Sequence, residues 1–320
     1  MEKITLARNA MATRFEFILV GSDPVRLRAA GEEALDEIER IESQLSLYKG
    51  GSEIATINSR AAFGAVRASP EVFALLSRAR EFSEISGGAF DITVAPLVRC
   101  WGFMKGSGSR PTDAEIARAR ENTGTNHLEM DESSGTVRFK RDGMMLDLGS
   151  IGKGYALDVA ADVLADAGVE NALLHGGTST IIARGSSIEG PWKVAIEQPN
   201  LGEDQMPGEP IAVVELNNQA LSVSAVSGKF FTAEGKTYGH VIDPRTGWPA
   251  TDALLGAVVT DSAAASDALS TAILLASDDD LRQLDNKVPG IRYIQARTEN
   301  GKVRLRTAGI EVLEERIRQG

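Results

Sequence analysis

The sequence has little cysteine and no long apolar run. A single cysteine, Cys100, occurs in 320 residues, which excludes an internal disulfide and a thiolate cluster for zinc or iron–sulfur. No segment reaches the ~18 consecutive apolar residues of a membrane helix. The first residues include no apolar stretch of signal-peptide length and no cysteine that could carry a lipid. We therefore expect no membrane span and a cytoplasmic protein as the sequence stands, or an exported one if a leader has been removed.

Positively charged residues are also fewer than negatively charged ones. Lys and Arg number 34 against 45 Asp and Glu, which gives a net charge of −11 at pH 7. A chain this acidic repels phosphate backbones, so we expect no nucleic-acid partner. Apolar residues make up 42% and charged residues 25%, proportions that are typical of a globular protein with a sizeable core and exclude a disordered one.

The order of predicted elements favours an α+β fold with mixed or antiparallel sheets and packed helices. The length corresponds to about two domains of ~150 residues or to one large body. Strands cluster in runs instead of alternating strictly with helices. We predict helices from residue 24 onward, over 52–58 and 70–85, after 112, and over 155–167 and 262–276. We predict a strand pair over 4–20, then strands at 128–130, 136–140, 144–148, 172–174, 180–183, 192–196, 211–216, 221–224, 229–231, 255–259, 303–306 and 310–313, with an exposed loop over 200–210.

The segment from Asp147 to Tyr155 is rich in glycine and precedes a predicted helix. Glycine lets a ligand approach the backbone closely, and the first N–H groups of the helix are free to bind an anion. Lys153 adds a positive charge. The segment predicts a phosphate site, although its spacing fits neither the Walker loop nor the dinucleotide fingerprint. A tight turn with a solvated lysine is an equally good interpretation.

Asp267 and Thr271 share one face of a predicted helix, because residues four apart are neighbours on its surface. A carboxylate and a hydroxyl suit Mg²⁺, which takes few protein ligands and completes its shell with phosphate and water. Taken alone, the segment fits better an aspartate that caps or solvates a buried alanine-rich helix.

Two further segments contain candidate site residues. His240 lies just before the turn signal Asp243-Pro244-Arg245-Thr246-Gly247, where it could reach a cleft and act as a base, although a lone histidine is more often structural. Asp91 is a carboxylate in an apolar run and needs a partner when buried. It could bind a ligand or simply bond local amides. Phe90 and Trp101 could lie against a flat ring.

Taken together, these segments resemble the FAD:protein FMN transferases, also called ApbE-like flavin transferases, over nearly the whole chain. No single segment is specific, but all of them occur in the family's order. The matching pieces are residues 11–13, Tyr48 with 52–54 and Asn58, 88–93 with 96–97 and 101–103, 146–155 with Asp158, 176–177, 240–247 and 265–271.

The resemblance implies a fold, a reaction and site residues. The fold is α+β, with residues 1–320 as one flavin transferase domain or as two intertwined subdomains. Such enzymes require Mg²⁺, split FAD at its pyrophosphate, attach FMN to a Thr or Ser of a target flavoprotein and release AMP. By resemblance Asp267, Thr271 and the carbonyl of Gly152 are Mg²⁺ ligands, and His240 helps to activate the target hydroxyl. Lys153 lies beside the phosphates, and the FAD site is lined by Met11, Tyr48, Ala89, Phe90, Asp91, Gly149 and Ile242.

Two other functions fit the same residues. One is a Mg²⁺-dependent FAD pyrophosphatase, in which water replaces the target hydroxyl and the products are FMN and AMP. The other is a protein that binds FAD without changing it.

Overall fold

The protein is an assembly of helices and strands, seen in a computed structural model that describes residues 1–106, 108–197, 210–226, 230–300 and 302–313. Its α-helices in these residues are α1 (Pro24–Leu45), α2 (Glu53–Arg60), α3 (Pro70–Ile85), α4 (Ala95–Cys100), α5 (Asp113–Glu121), α6 (Gly152–Asp166), α7 (Ala263–Leu275) and α8 (Asp278–Lys287). Its strands are β1 (Glu2–Ala10), β2 (Thr13–Gly21), β3 (Val66–Arg67), β4 (Leu128–Asp131), β5 (Thr136–Phe139), β6 (Asn171–Gly176), β7 (Thr180–Arg184), β8 (Trp192–Glu197), β9 (Pro210–Leu216), β10 (Ala220–Ala225), β11 (Phe230–Ala233), β12 (Lys236–Gly239), β13 (Ala253–Thr260), β14 (Arg292–Glu299) and β15 (Lys302–Ala308).

Eight of these strands form the central sheet, in the order β1-β2-β6-β7-β10-β13-β14-β15. Every neighbouring pair is antiparallel. The order is not sequential, so β7 and β10 pair although β8 and β9 lie between them in the chain. The α+β prediction is confirmed.

Helices cover one face of this sheet. α1 packs on β1 and α6, α6 packs on α7, and α7 lies against β10 and β13. The apolar side chains between them form the main core, which includes Phe15, Phe17 and Ile38. The alternation of apolar and polar residues in β2 places Phe15 and Phe17 on this face, because side chains of a strand alternate between its two sides.

A two-stranded sheet covers the opposite face. β8 pairs with β9, and their apolar side chains pack on those of the central sheet in a second core that includes Trp192, Ile196 and Leu216. A third, smaller core is aromatic: Trp101 contacts Phe231, Tyr238 and Trp248. It connects α4 to the antiparallel pair β11-β12.

Helix starts follow the capping residues in the sequence. Ser69 accepts a hydrogen bond from Val72 N–H, and Pro70 takes the first position of α3, as the sequence predicts. Thr112 and Glu115 form a capping box at the start of α5. Ser277 and Asp280 form another at α8, a helix that our prediction omitted.

Several predicted boundaries are wrong. Residues 144–148 and 310–313 form no strand, and α6 begins at Gly152 instead of Tyr155. Strands β12 and β14 were not predicted. Both contain several polar or charged residues, such as Lys236 and Arg297, so an apolar pattern alone does not reveal them. The predicted loop over 200–210 lies outside the described residues except at Pro210, and so does Lys229 of the predicted strand over 229–231.

In the part of the chain that the structure describes, no helix combines the length and the hydropathy that crossing a bilayer would require.

Candidate active site

Asp267 lies where the N-terminus of α6 meets α7. Its carboxylate accepts a hydrogen bond from the Gly154 N–H at 3.1 Å and another from the Thr180 hydroxyl at 3.2 Å. The residue is only 4% exposed. A buried carboxylate needs such partners to remain charged, and the N-terminus of a helix favours a negative charge. The aspartate is thus held in a fixed orientation by groups from α6 and β7.

The two helices approach closely because residue 154 is glycine. A Cβ on Gly154 would overlap the carbonyl group of Ala263, whose carbon would lie 2.5 Å away, and the Ala264 nitrogen would lie at 2.7 Å. The glycine-rich character of the segment therefore serves helix packing at this position. It also brings the Gly154 N–H within reach of Asp267.

Lys153 places a positive charge beside this carboxylate. Its Nζ lies 3.5 Å from Asp267 Oδ1 and donates a hydrogen bond to the Gly149 carbonyl at 3.3 Å. The side chain is 22% exposed, so the ammonium group is partly shielded from water and its attraction to the carboxylate is stronger than at an open surface. Lys153, which the sequence predicts beside a phosphate, is therefore a neighbour of Asp267, which it predicts as a metal ligand.

Thr271 lies one helical turn beyond Asp267 on α7 and is half-buried. Its Oγ1 is 3.2 Å from the hydroxyl oxygen of Ser224 on β10. Gly152, the third predicted ligand, is the first residue of α6. The structure thus brings two of the three predicted ligands to one helix face and places the third at the start of the adjoining helix.

The donor set fits a hard cation. The predicted ligands offer a carboxylate, a hydroxyl and a carbonyl, all oxygen atoms, which Mg²⁺ prefers. Among the described residues, no group of three His, Cys, Asp or Glu side chains is close enough to hold a metal. Mg²⁺ differs from zinc in needing few protein ligands, because water and substrate phosphates complete its shell. The residues present are compatible with Mg²⁺ held jointly by protein and substrate.

The segment before α6 includes Gly149, a predicted FAD contact, and its Asp147 lies near a second predicted contact, Tyr48. Asp147 N–H donates to the Ile92 carbonyl at 2.7 Å, and Asp147 Oδ1 accepts from Gly149 N–H at 2.8 Å. Partial burial, and after it the Asp147 charge, raise the pKa of the Tyr48 phenol. Tyr48 itself is 72% exposed, so its ring is available for stacking.

Residues 89–91 are buried. The Asp91 carboxylate accepts hydrogen bonds from Thr93 N–H at 2.7 Å, Thr93 Oγ1 at 2.6 Å and Thr125 N–H at 3.1 Å. Burial raises the pKa of Asp91, and these bonds oppose the increase. Asp91 therefore bonds local groups, the structural alternative that the sequence left open, and its role at FAD stays a prediction.

The two aromatic residues that the sequence suggested for a flat ring are both buried. Phe90 and Trp101 are both 0% exposed, so neither side chain presents a face to a flat ring. Phe90 packs edge-on against Phe82, and Trp101 Nε1 donates to the Gly247 carbonyl at 2.9 Å. Both serve the cores, and the contact of residues 89 and 90 with FAD stays a prediction.

His240 and Ile242 belong to a segment that a single arginine attaches to α7 and α8. The Arg245 guanidinium donates to Asp243 Oδ2 at 2.8 Å, to Asp280 Oδ2 at 2.7 Å and to the Leu275 carbonyl at 3.1 Å. His240 follows β12 and is half-buried. Ile242 is buried in the aromatic core. The arginine thus fixes the segment of the predicted base to the last turn of α7.

Strand register places Met11 at the same end of the sheet as the other residues. Met11 and Ala12 form the turn between β1 and β2 with positive φ angles of 50° and 58°. Phe15, near the start of β2, pairs with Gly176 of β6, which pairs with Thr180 of β7. Thr180 in turn pairs with Ser222 of β10. Met11 therefore lies at the sheet end that includes Thr180, a partner of Asp267.

The sequence did not reveal the partners of these side chains. Asp158 and Arg245 are part of the quoted motifs, but no role was predicted for them. Thr180 and Ser224 had no signal of their own, since a hydroxyl residue in a strand is common. The available hint for Asp158 was its spacing: it lies four residues after Gly154, so the two share the face of α6 that meets α7.

With this geometry in hand, comparison with known proteins identifies the family. The model of the ApbE family matches residues 11–294. The chain belongs to the ApbE family. The prediction that the ordered motifs made is confirmed.

Relatives and solved structures of the ApbE family match nearly the whole chain. An FAD:protein FMN transferase from Haemophilus influenzae is 29% identical over 324 residues, which cover 98% of this chain and 92% of the relative. One from Klebsiella pneumoniae is 30% identical and covers 86% of this chain and 79% of the relative. The apo form of the flavinyl transferase ApbE from Pseudomonas stutzeri superposes with a TM-score of 0.83 at 27% identity, covering 96% of this chain and 95% of that one. The ApbE protein of Thermotoga maritima gives 0.82 at 27% identity, covering 95% and 96%.

Proposed function

We propose that this chain is an FAD:protein FMN transferase. The observation that carries the proposal is the arrangement of Asp267, Thr271 and Lys153 at the junction of α6 and α7, in a chain of the ApbE family. The names of the relatives, FAD:protein FMN transferase, support both the transferase class and FAD as substrate.

The reaction breaks the phosphoanhydride bond of FAD and forms a phosphoester bond to the acceptor. The hydroxyl oxygen of an acceptor Thr or Ser attacks the phosphorus of the FMN half of FAD, and the bond from this phosphorus to the bridging oxygen breaks. AMP leaves with that oxygen, and the hydroxyl proton passes to a base. We assign the base to His240, whose imidazole can accept a proton near neutral pH.

Phosphoryl transfer depends mainly on position and on neutralisation of charge. Asp267, Thr271 and the Gly152 carbonyl would hold Mg²⁺, which when bound withdraws charge from the phosphate oxygens and improves AMP as a leaving group. Lys153, which already lies beside Asp267, supplies a second positive charge for the diphosphate. Gly149 has no side chain, so FAD can approach its backbone closely.

The test is transfer of FMN to an acceptor. Purified protein is incubated with FAD, Mg²⁺ and a flavoprotein that has an acceptor Thr or Ser, and covalent flavin is detected as a fluorescent band after denaturing electrophoresis. We expect a band that requires Mg²⁺ and disappears in Asp267→Asn. Asp162→Asn, a change at an exposed carboxylate of α6 that lies 3.9 Å from Arg184, is the matched control and should keep activity.

Each alternative predicts a different result. Release of FMN and AMP in the absence of an acceptor, with no covalent band in its presence, would show a pyrophosphatase instead. FAD that stays bound and intact with Mg²⁺ present would show a binding protein. His240→Asn should slow transfer by ~10²–10⁴-fold, as expected for loss of a positioned base, and an unchanged rate would remove His240 from the reaction.

A further inference from the structure

Two serines on β10 form hydrogen bonds with hydroxyl groups of α7. Ser224 Oγ lies 2.8 Å from Ser270 Oγ and 3.2 Å from Thr271 Oγ1. Two residues earlier on the same strand, Ser222 Oγ lies 2.7 Å from Ser266 Oγ. Residues two apart in a strand share a face, so both serines point at the helix that carries Asp267.

The direction of these bonds follows from counting protons. A hydroxyl group has one proton to donate and two lone pairs that accept. Ser270 Oγ also lies 2.9 Å from the Asp267 carbonyl, which can only accept, so in the arrangement that satisfies every contact Ser270 accepts from Ser224. Ser224 has then used its own proton and must accept from Thr271. The protons thus run from Thr271 through Ser224 and Ser270 to a backbone carbonyl.

This direction determines what Thr271 offers to a ligand. With its proton directed at Ser224, Thr271 Oγ1 keeps its lone pairs for another partner. A hydroxyl that binds a cation must present a lone pair, because a proton aimed at the cation would be repelled. Outer partners that orient a ligand in this way commonly determine metal affinity.

We propose that Ser224 is a positioning residue for the metal: it takes the proton of Thr271 and so turns a lone pair of Thr271 toward Mg²⁺. The proposal rests on the proposed function, in which Thr271 is a metal ligand. It adds a residue from β10 that neither the motifs nor the family comparison assigns.

Ser222 is a matched control supplied by the protein itself. Ser266 donates its proton to the Ala263 carbonyl at 3.1 Å, so Ser222 donates to Ser266 just as Ser224 donates to Ser270. Both Ser222 and Ser266 are 0% exposed, and neither is hydrogen-bonded to a predicted metal ligand in the described residues. Removing either strand hydroxyl therefore breaks the same kind of bond to α7, but only Ser224 bonds to Thr271.

The experiment measures Mg²⁺ affinity without turnover. The unfolding temperature of the FAD-free protein is followed while Mg²⁺ is added, since a ligand that binds only the folded state raises it, and the apparent dissociation constant is compared between variants. We expect Ser224→Ala to weaken Mg²⁺ binding by about tenfold or more, the usual effect of losing such a partner. Ser222→Ala should keep the affinity of the original protein, and Ser224→Thr, which retains a hydroxyl, should keep most of it.

The outcomes separate this proposal from the proposed function. Equal Mg²⁺ affinity in Ser224→Ala and Ser222→Ala would overturn the role of Ser224. Equal losses in Ser224→Ala and Ser224→Thr would assign the effect to packing and also overturn it. Asp267→Asn tests the site itself: if that variant retains Mg²⁺ affinity, the metal lies elsewhere and the metal assignment within the proposed function fails. If it loses affinity while Ser224→Ala does not, only the positioning role fails.

Discussion

The carboxylate of Asp158 on α6 accepts a hydrogen bond from the backbone N–H of Ala263, the first residue of α7, at 2.7 Å. It also accepts from Ala264 N–H at 2.9 Å and from the Ser262 hydroxyl at 2.7 Å. In return, Asp267 on α7 accepts from Gly154 near the start of α6. Each of the two helices thus directs a carboxylate at the N-terminus of the other, where the helix dipole favours negative charge. Asp267, a predicted metal ligand, makes one of these two contacts, and the predicted ligands Gly152 and Thr271 lie on the same two helices.

Replacing Asp158 should weaken the junction of α6 and α7. In Asp158→Ala two backbone N–H groups and a hydroxyl lose their acceptor, which costs about 1–3 kcal/mol of unfolding free energy. Urea unfolding followed by circular dichroism measures the change. Asp162→Ala, on the same helix with its side chain 77% exposed, should change stability by less than ~0.5 kcal/mol. Equal effects of the two variants would contradict the capping role of Asp158.

Gly154→Ala should destabilise the protein although alanine favours helices. Alanine gains up to ~1 kcal/mol over glycine inside a helix. Here, however, its Cβ would overlap the backbone of Ala263 and Ala264, and overpacking of this kind costs about 1–3 kcal/mol. We therefore expect a lower thermal midpoint. At Gly64 a Cβ meets no described atom within 4 Å, so Gly64→Ala should leave the midpoint unchanged or raise it slightly. A more stable Gly154→Ala would show that the helices can separate at no cost.

Arg245→Lys should lower both stability and transfer activity. Lysine cannot reproduce the planar set of donors that reaches Asp243, Asp280 and the Leu275 carbonyl together. Losing hydrogen bonds of a charged group costs about 1–3 kcal/mol, and His240 lies in the segment that these bonds hold. Thermal unfolding and the rate of FMN transfer give the two readings.

The control for Arg245 is an exposed ion pair. Arg304 contacts Glu299 at 2.8 Å, with a side chain 60% exposed, and such pairs contribute about 0–1 kcal/mol. Arg304→Lys should therefore preserve stability and activity. Full activity of Arg245→Lys at a temperature where it is folded would separate Arg245 from the positioning of His240.

His175 should make stability depend on pH below neutrality. Burial lowers the pKa of this histidine from its ordinary value of 6.5, and the nearby Glu16 charge opposes the decrease. The unfolded chain then binds the proton more readily than the folded one, so stability falls as pH decreases below about 6.5. His175→Asn should remove this dependence of stability on pH. Glu16→Gln should make the dependence steeper, because it removes the charge that opposes the decrease in the His175 pKa. Urea unfolding between about pH 5 and 8 measures the slopes, and identical slopes in all three proteins would refute the assignment.

Local signals in the sequence were sufficient for many elements. The Ser69-Pro70 start of α3 and the spacing of apolar residues in α1 predict those helices because capping and periodicity act within a few residues. Residues 144–148 show where such signals fail. Their apolar side chains favour a strand, yet the chain is held by Asn58, whose side chain bonds both backbone groups of Leu146. Nothing near residue 146 in the sequence indicates that partner.

The candidate site divides in the same way. The sequence alone determined the family, the α+β class and the pairing of Asp267 with Thr271 on one helix face, because motif order and helical periodicity are properties of the linear chain. Only the tertiary structure decided that Asp267 meets Gly154, 113 residues away, and that Ser224 meets Thr271, 47 residues away. It also decided that Phe90 and Trp101 are buried. These contacts depend on which surfaces pack together, and close packing is a property of the whole folded chain and of no single segment.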